Sequence, residues 1–175
     1  MRREAIPLTQ LNLPAFGAWE PGWFLLTAGE NKTGGYNSMT VSWGAFGVIW
    51  HRPMAMVVVR PQRYTREFIE TCATFSLCAF DEVHRPALEM LGTLSGRDTN
   101  KMTDCGLTPV ALSHISCPGF DQAKLILECR KMYFGDLDPA HFLADFIAEH
   151  YQGDYHRMYF GEVLAAAGTT EYRRG

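Results

Sequence analysis

Hydroxyls and guanidiniums recur at three places in this sequence: Tyr36-Asn-Ser-Met-Thr-Val-Ser-Trp43, Arg60-Pro-Gln-Arg-Tyr-Thr65 and Ser95-Gly-Arg-Asp98. A phosphate anion is held best by several converging charge-assisted donors, and the planar fork of Arg matches its oxygens. The chain carries a formal net charge of -3, so attraction for an anion has to be local. A general nucleic-acid binder would instead carry a broad basic surface.

Other chemistries lack an anchor. The sequence has neither Gly-x-Gly-x-x-Gly nor Gly-x-x-x-x-Gly-Lys, and neither His-Glu-x-x-His nor Gly-x-Ser-x-Gly. Dinucleotide folds, P-loops, metalloproteases and serine hydrolases are therefore disfavoured. Five cysteines at 72, 78, 105, 117 and 129 include no Cys-x-x-Cys pair, which argues against a disulfide framework and a zinc knuckle alike. Reduced thiols, and no apolar run long enough for a signal peptide or a bilayer span, give the expectation of a cytoplasmic, non-membrane protein. Asn31-Lys-Thr33 matches the glycosylation sequon, which is idle without secretion.

The elements that must position the donor clusters follow from periodicity. At 175 residues with 47% apolar and 20% charged residues, the chain reads as one folded domain, 1-175, with its core at about 22-163. Residues 23-28, 36-43, 46-50 and 54-59 read as strands, with Gly34-Gly35 turning between the first two and His51-Arg-Pro53 dividing the last two. Thr65 is placed as the N-cap of a short helix whose first turn carries Glu67. Residues 74-80 return to strand, and Leu88, Leu91 and Leu94 then mark a helix with Pro86 in its first turn. Residues 107-115, 123-133 and 155-166 read as late strands. Between the last two, Asp138-Pro139 as a cap and Phe142, Leu143, Phe146 and Ile147 at 3.6-residue spacing predict another helix. Seven or eight short strands with few helices favour an antiparallel barrel over a parallel sheet.

Asn37-Ser-Met-Thr-Val-Ser-Trp-Gly44, the Arg60 to Thr65 motif, Ser95-Gly-Arg-Asp98 with Lys101, and Gly153-Asp-Tyr-His-Arg-Met-Tyr-Phe-Gly161 together resemble the flavin reductase-like family, most closely its flavoredoxin branch. The resemblance implies a mainly β fold with α additions, the FMN-binding split β-barrel, antiparallel and of Greek-key type. It implies a homodimer that holds FMN non-covalently, accepts a hydride from NADH or NADPH and passes electrons to a flavin or redox-protein acceptor. The alternative is a flavoredoxin-type electron carrier that does not use NADH or NADPH directly.

By the same resemblance, Asn37, Ser38, Met39, Thr40, Ser42 and Trp43 line the flavin. Arg60, Arg63, Tyr64 and Thr65 face its phosphate, while Ser95, Gly96, Arg97, Asp98 and Lys101 close over it, Lys101 toward the pyrimidine edge. No catalytic acid or base and no metal is expected. Read without the resemblance, Thr40 and Ser42 are polar strand positions, the arginines a solvated cluster, and Trp43 and Trp50 packing residues. His156 reads as structural, Cys129 as an inert buried thiol, and Met39, Met54 and Met56 as core filling.

Overall fold

The computed structural model describes residues 2-30 and 35-174; the sequon at 31-33 and Gly34 of the expected Gly34-Gly35 turn lie outside them. Eight strands make one antiparallel sheet: β1 (Glu4–Ile6), β2 (Phe24–Glu30), β3 (Gly35–Val41), β4 (Gly44–Ile49), β5 (Arg52–Val59), β6 (Thr74–Ala79), β9 (Leu125–Asp136) and β10 (Arg157–Gly168). Their spatial order is β3-β2-β6-β9-β10-β5-β4, with β1 added on β10. Two short strands, β7 (Pro109–Val110) and β8 (Gly119–Phe120), pair with each other. Two register shifts along β9 and β10, after Phe160 and after Val163, bend these long strands as bulges do. In this way β10 pairs with β5 at one end and with β1 at the other.

Side-chain alternation explains the central strands. Phe24, Leu26 and Ala28 of β2 enter the barrel core with Val57, Phe75, Leu127 and Tyr159. Leu25 points the other way, into a second cluster with Leu88, Leu91, Phe120 and Ile126. A strand buried on both faces reads as a continuous apolar run, as residues 23-28 do. Among the described residues no helix is long and apolar enough to cross a membrane.

The β4-β5 hairpin turns at Trp50 and His51, whose φ angles are 52° and 57°. Both are left-handed, the backbone that a two-residue hairpin requires and that L side chains resist. His51→Gly is therefore expected to stabilise the protein by about 1 kcal/mol, read as a rise in Cm in urea; an unchanged or lower Cm refutes it. The expected division at Pro53 is corrected: Pro53 lies within β5 and pairs with Val48. It is tolerated there because the ladder to β10 stops at Met54, so no third strand needs its missing N–H.

Helix α1 (Thr65–Thr71) follows β5, and α2 (Arg85–Thr93) has Pro86 in its first turn and buries Leu88 and Leu91. A third, α3 (Lys101–Asp104), is one turn long. Thr65 is not the N-cap of α1. Tyr64 holds that position with no side-chain cap, because the Thr65 hydroxyl is taken by Asn37, whose Nδ2 donates to it at 2.6 Å.

Two further expectations fail. Residues 138-147 form no α-helix but 3-10 turns at Pro139–His141 and Asp145–His150. Asp138 does cap, accepting from the Ala140 N–H at 2.9 Å, yet Leu143 is 97% and Phe146 64% exposed. An isolated helix of this length needs its whole apolar face buried, and here the stripe is divided, Phe142 stacking on Tyr151 while Leu143 and Phe146 face solvent. In residues 107-115 only Pro109–Val110 is strand; the His114 N–H donates to the Glu128 carboxylate at 2.7 Å instead of to a ladder.

Candidate functional site

The second half of β3 and the residues after it form one wall of a groove. At one end Thr40, Ser42, Trp43, Val58, Arg60 and His156 enclose about 210 Å³ together with Met39 and Arg63. Met39 and Arg63 also border a second space of about 210 Å³, whose other walls include Thr65, Thr93, Ser95 and Lys101. The two spaces thus share a boundary and together fall in the size range of a small-molecule site. The first end, the aromatic one, sets Trp43, Val58 and Met39 beside Thr40, Ser42, Arg60 and Arg63; the second, the cationic one, shares Arg63 and adds Lys101 and the hydroxyls of Thr65, Thr93 and Ser95.

Each donor is set by its element. Thr40 Oγ1 donates to the Leu88 carbonyl at 2.5 Å, tying β3 to α2. Arg63 reaches across to the same helix and donates to the Gly92 carbonyl at 2.7 Å. Lys101, only 3% exposed, donates to the Leu91 and Leu94 carbonyls at 2.9 and 3.0 Å. These are carbonyls at the C-terminal end of α2, where a cation is favoured. Burial, and next the nearby Arg63, pull the Lys101 pKa down from 10.5 to about 8.

The sequence-derived residues divide three ways. Met39, Thr40, Ser42, Trp43, Arg60 and Arg63 meet at the aromatic end, and Tyr64, Thr65, Ser95 and Lys101 at the cationic end. Asn37 and Gly96 border a separate cavity of about 410 Å³ that also has Tyr64 and Lys101 in its wall. Ser38, Arg97 and Asp98 line none of these spaces. Ser38 is fully buried with its hydroxyl 2.7 Å from that of Thr27. Arg97 pairs with Glu67, donates to the Gln62 carbonyl at 3.0 Å, and lies over the Tyr64 ring at 4.9 Å. Asp98 closes a turn, its N–H donating to the Ser95 carbonyl at 3.1 Å.

Arg60 is engaged rather than free. Its guanidinium pairs with Asp154, donates to the His150 carbonyl at 2.8 Å and lies 5.2 Å from the Tyr151 ring centroid. Asp154 also accepts from Gln62 at 2.8 Å and from the Gln152 N–H at 3.0 Å. Those three donors, the Gln152 amide foremost, hold its carboxyl well below the usual carboxylate range.

The fold brings His156, expected to be structural, into the groove wall beside Trp43, ring centroids 5.1 Å apart. His156 adjoins β10 and its carbonyl accepts from the Leu137 N–H at 3.0 Å, so the pairing of β9 with β10 sets its place. Burial first, and Arg60 second, lower its pKa from 6.5 to about 4. The unfolded chain therefore binds more protons than the folded one between pH 6.5 and 4, and stability falls as the pH drops through that window. His156→Gln is expected to remove this part of the slope, measured as a flatter dependence of Cm on pH between 6.5 and 4; parallel curves for both proteins refute it.

A domain family described as flavin reductase like matches residues 20-173. An uncharacterized protein of Archaeoglobus fulgidus is 26% identical over 158 residues, which span 87% of this chain and 75% of that one. Among solved structures, the FMN-binding domain of a flavin reductases-like enzyme from Shewanella baltica matches with a TM-score of 0.71 and 22% identity, over 97% of this chain and 78% of that chain. Flavoredoxin of Desulfovibrio vulgaris matches with a TM-score of 0.66 and 18% identity, over 98% of this chain and 78% of that chain. At such identities the two structures show the fold, an antiparallel split barrel, as the motifs led us to expect.

Proposed function

Because the chain belongs to the flavin reductase-like family, we propose that its groove binds FMN and that the protein is an oxidoreductase passing a hydride from NADH or NADPH to that flavin. Electrons then go on to free flavin, oxygen or a redox protein. The observation that carries the reading is the two-ended groove along β3. Arg63, Lys101 and the hydroxyls of Thr65 and Ser95 gather at one end, a donor set that suits a phosphate. Trp43, Val58 and Met39 gather at the other, a surface that suits a flat ring. This arrangement moves Lys101, in our reading, from the pyrimidine edge to the phosphate end.

When bound, FMN supplies the hydride and electron chemistry. The protein's own residues bind and orient it. Arg63 and Lys101, anchored on α2 carbonyls, offer their remaining N–H groups without having to reorganise. Trp43 and Val58 offer the ring an apolar surface at one end, and neutral His156 there presents a hydrogen-bonding ring nitrogen. We also propose a cytoplasmic homodimer, supported by the exposed Val48 and Trp50 on the β4-β5 hairpin. Sedimentation equilibrium at twice the 19.7 kDa chain mass supports the dimer, and the single mass overturns it.

The test is a visible spectrum of protein mixed with stoichiometric FMN, followed by anaerobic NADPH and then NADH. Retained yellow flavin that bleaches supports the reductase. Retained flavin bleached only by a reduced iron-sulfur or flavin protein favours the electron carrier. Protein that leaves FMN in the filtrate overturns both.

A further inference from the structure

Residues 138-155 carry no strand and no α-helix, yet the last third of the segment is held firmly against the aromatic end of the groove. Tyr151 stands at the centre of that contact. Its ring stacks on Phe142 at 5.8 Å and leans on Tyr155 at 5.1 Å. The Arg60 guanidinium lies over it, and its hydroxyl is 2.9 Å from Nδ1 of His156. The His156 backbone is fixed independently, its carbonyl accepting from the Leu137 N–H at 3.0 Å. Asp154, one turn of chain away, is pinned by Arg60 and Gln62. Tyr151 is thus immobilised on one side by aromatic rings and on the other by a charge cluster.

We propose that Tyr151 is a positioning residue whose hydroxyl donates to Nδ1 of His156, leaving the imidazole proton on Nε2. A phenol is a better donor than a neutral imidazole N–H, and an imidazole nitrogen a better acceptor than a phenolic oxygen, so the pair is strongest in this direction. The bond at one ring nitrogen decides which tautomer the other presents. Burial keeps the imidazole neutral, so its single proton has one remaining place. His156 and Arg63 both line the groove, so a proton fixed on Nε2 offers an N–H donor suited to a carbonyl acceptor on a flavin or nicotinamide ring. That last consequence rests on the FMN reading; the tautomer does not.

Long-range nitrogen-proton correlation NMR on the apo protein at pH 7 tests it, with the His156 signal assigned by its loss in His156→Gln. The expected result is the Nε2–H tautomer in the parent protein and a mixture of tautomers in Tyr151→Phe, which keeps every ring contact. In the FMN-loaded protein Tyr151→Phe should raise the KM for NADPH about tenfold, the worth of one hydrogen bond, with the FMN Kd unchanged. A proton on Nδ1 in the parent protein, or the same tautomer in Tyr151→Phe, would overturn the proposal. Failure to bind FMN with the Nε2–H tautomer present would overturn the cofactor reading and leave the positioning role supported.

Discussion

Lys101→Met is expected to raise the FMN dissociation constant between about ten- and a hundredfold, the range for one charge-assisted hydrogen bond at 1.4 kcal/mol per decade. The ammonium is almost fully buried and already oriented by the Leu91 and Leu94 carbonyls, so nothing is spent on ordering it when a phosphate arrives. Its pKa gives the effect a signature in pH. With the free protein's Lys101 near 8, a phosphate beside it raises that value, and binding above pH 8 takes up a proton. FMN affinity should hold below pH 8 and fall as the pH climbs above it. In Lys101→Met the affinity should be low and flat from pH 7 to 9.5. Titration of FMN fluorescence at pH 7 and 9, with circular dichroism to verify folding, decides the matter. Equal affinities in parent and variant at both pH values would remove Lys101 from the site.

The second large effect is expected at Gly96. A Cβ there would stand 2.5 Å from Asn37 Oδ1 and 2.9 Å from Tyr64 Cδ1. Neither neighbour can yield easily: Asn37 is 2% exposed and bonded to Thr65, and Tyr64 is packed edge-on to Phe68 at 5.0 Å with Arg97 above it. The loop that carries Ser95 must therefore move outward, taking one hydroxyl from the cationic end of the groove. Gly96→Ala should weaken FMN binding on the order of thirtyfold, about 2 kcal/mol of lost contacts and displaced donors. Because the loop is at the surface, the Cm in urea should change far less than the affinity. A loss of stability with unchanged FMN affinity would mean that the Gly96 loop packs the fold and does not serve the site.

Resemblance of the motifs around Asn37, Arg60 and Ser95 carried the family and the split barrel, while periodicity carried the strands, because a strand buried on one or both faces writes its period into the chain. Where that rule failed, it failed for a physical cause. Phe142, Leu143, Phe146 and Ile147 have helical spacing, but spacing expresses a helix only when a complementary surface exists to bury it, and here Leu143 is left 97% exposed. Thr65 is a good capping residue by type, yet Asn37, 28 positions away, is a closer partner for its hydroxyl.

Local pattern marked the long central strands, the presence of α1 and α2, and the donors around β3 and after β5. Tertiary structure alone decided which donors remain for a ligand. Arg60 and Asp154 are 94 residues apart in sequence and form one ion pair; Arg97 is drawn to Glu67; Ser38 turns inward to Thr27. His156 enters the groove wall because the pairing of β10 with β9 and β5 sets its place beside Trp43. Periodicity reports how deeply a side chain is buried, since that depends on the element's own geometry. The partner of a charge or hydroxyl is whichever complementary group the folded chain brings within about 3 Å, and that distance is set by the whole topology.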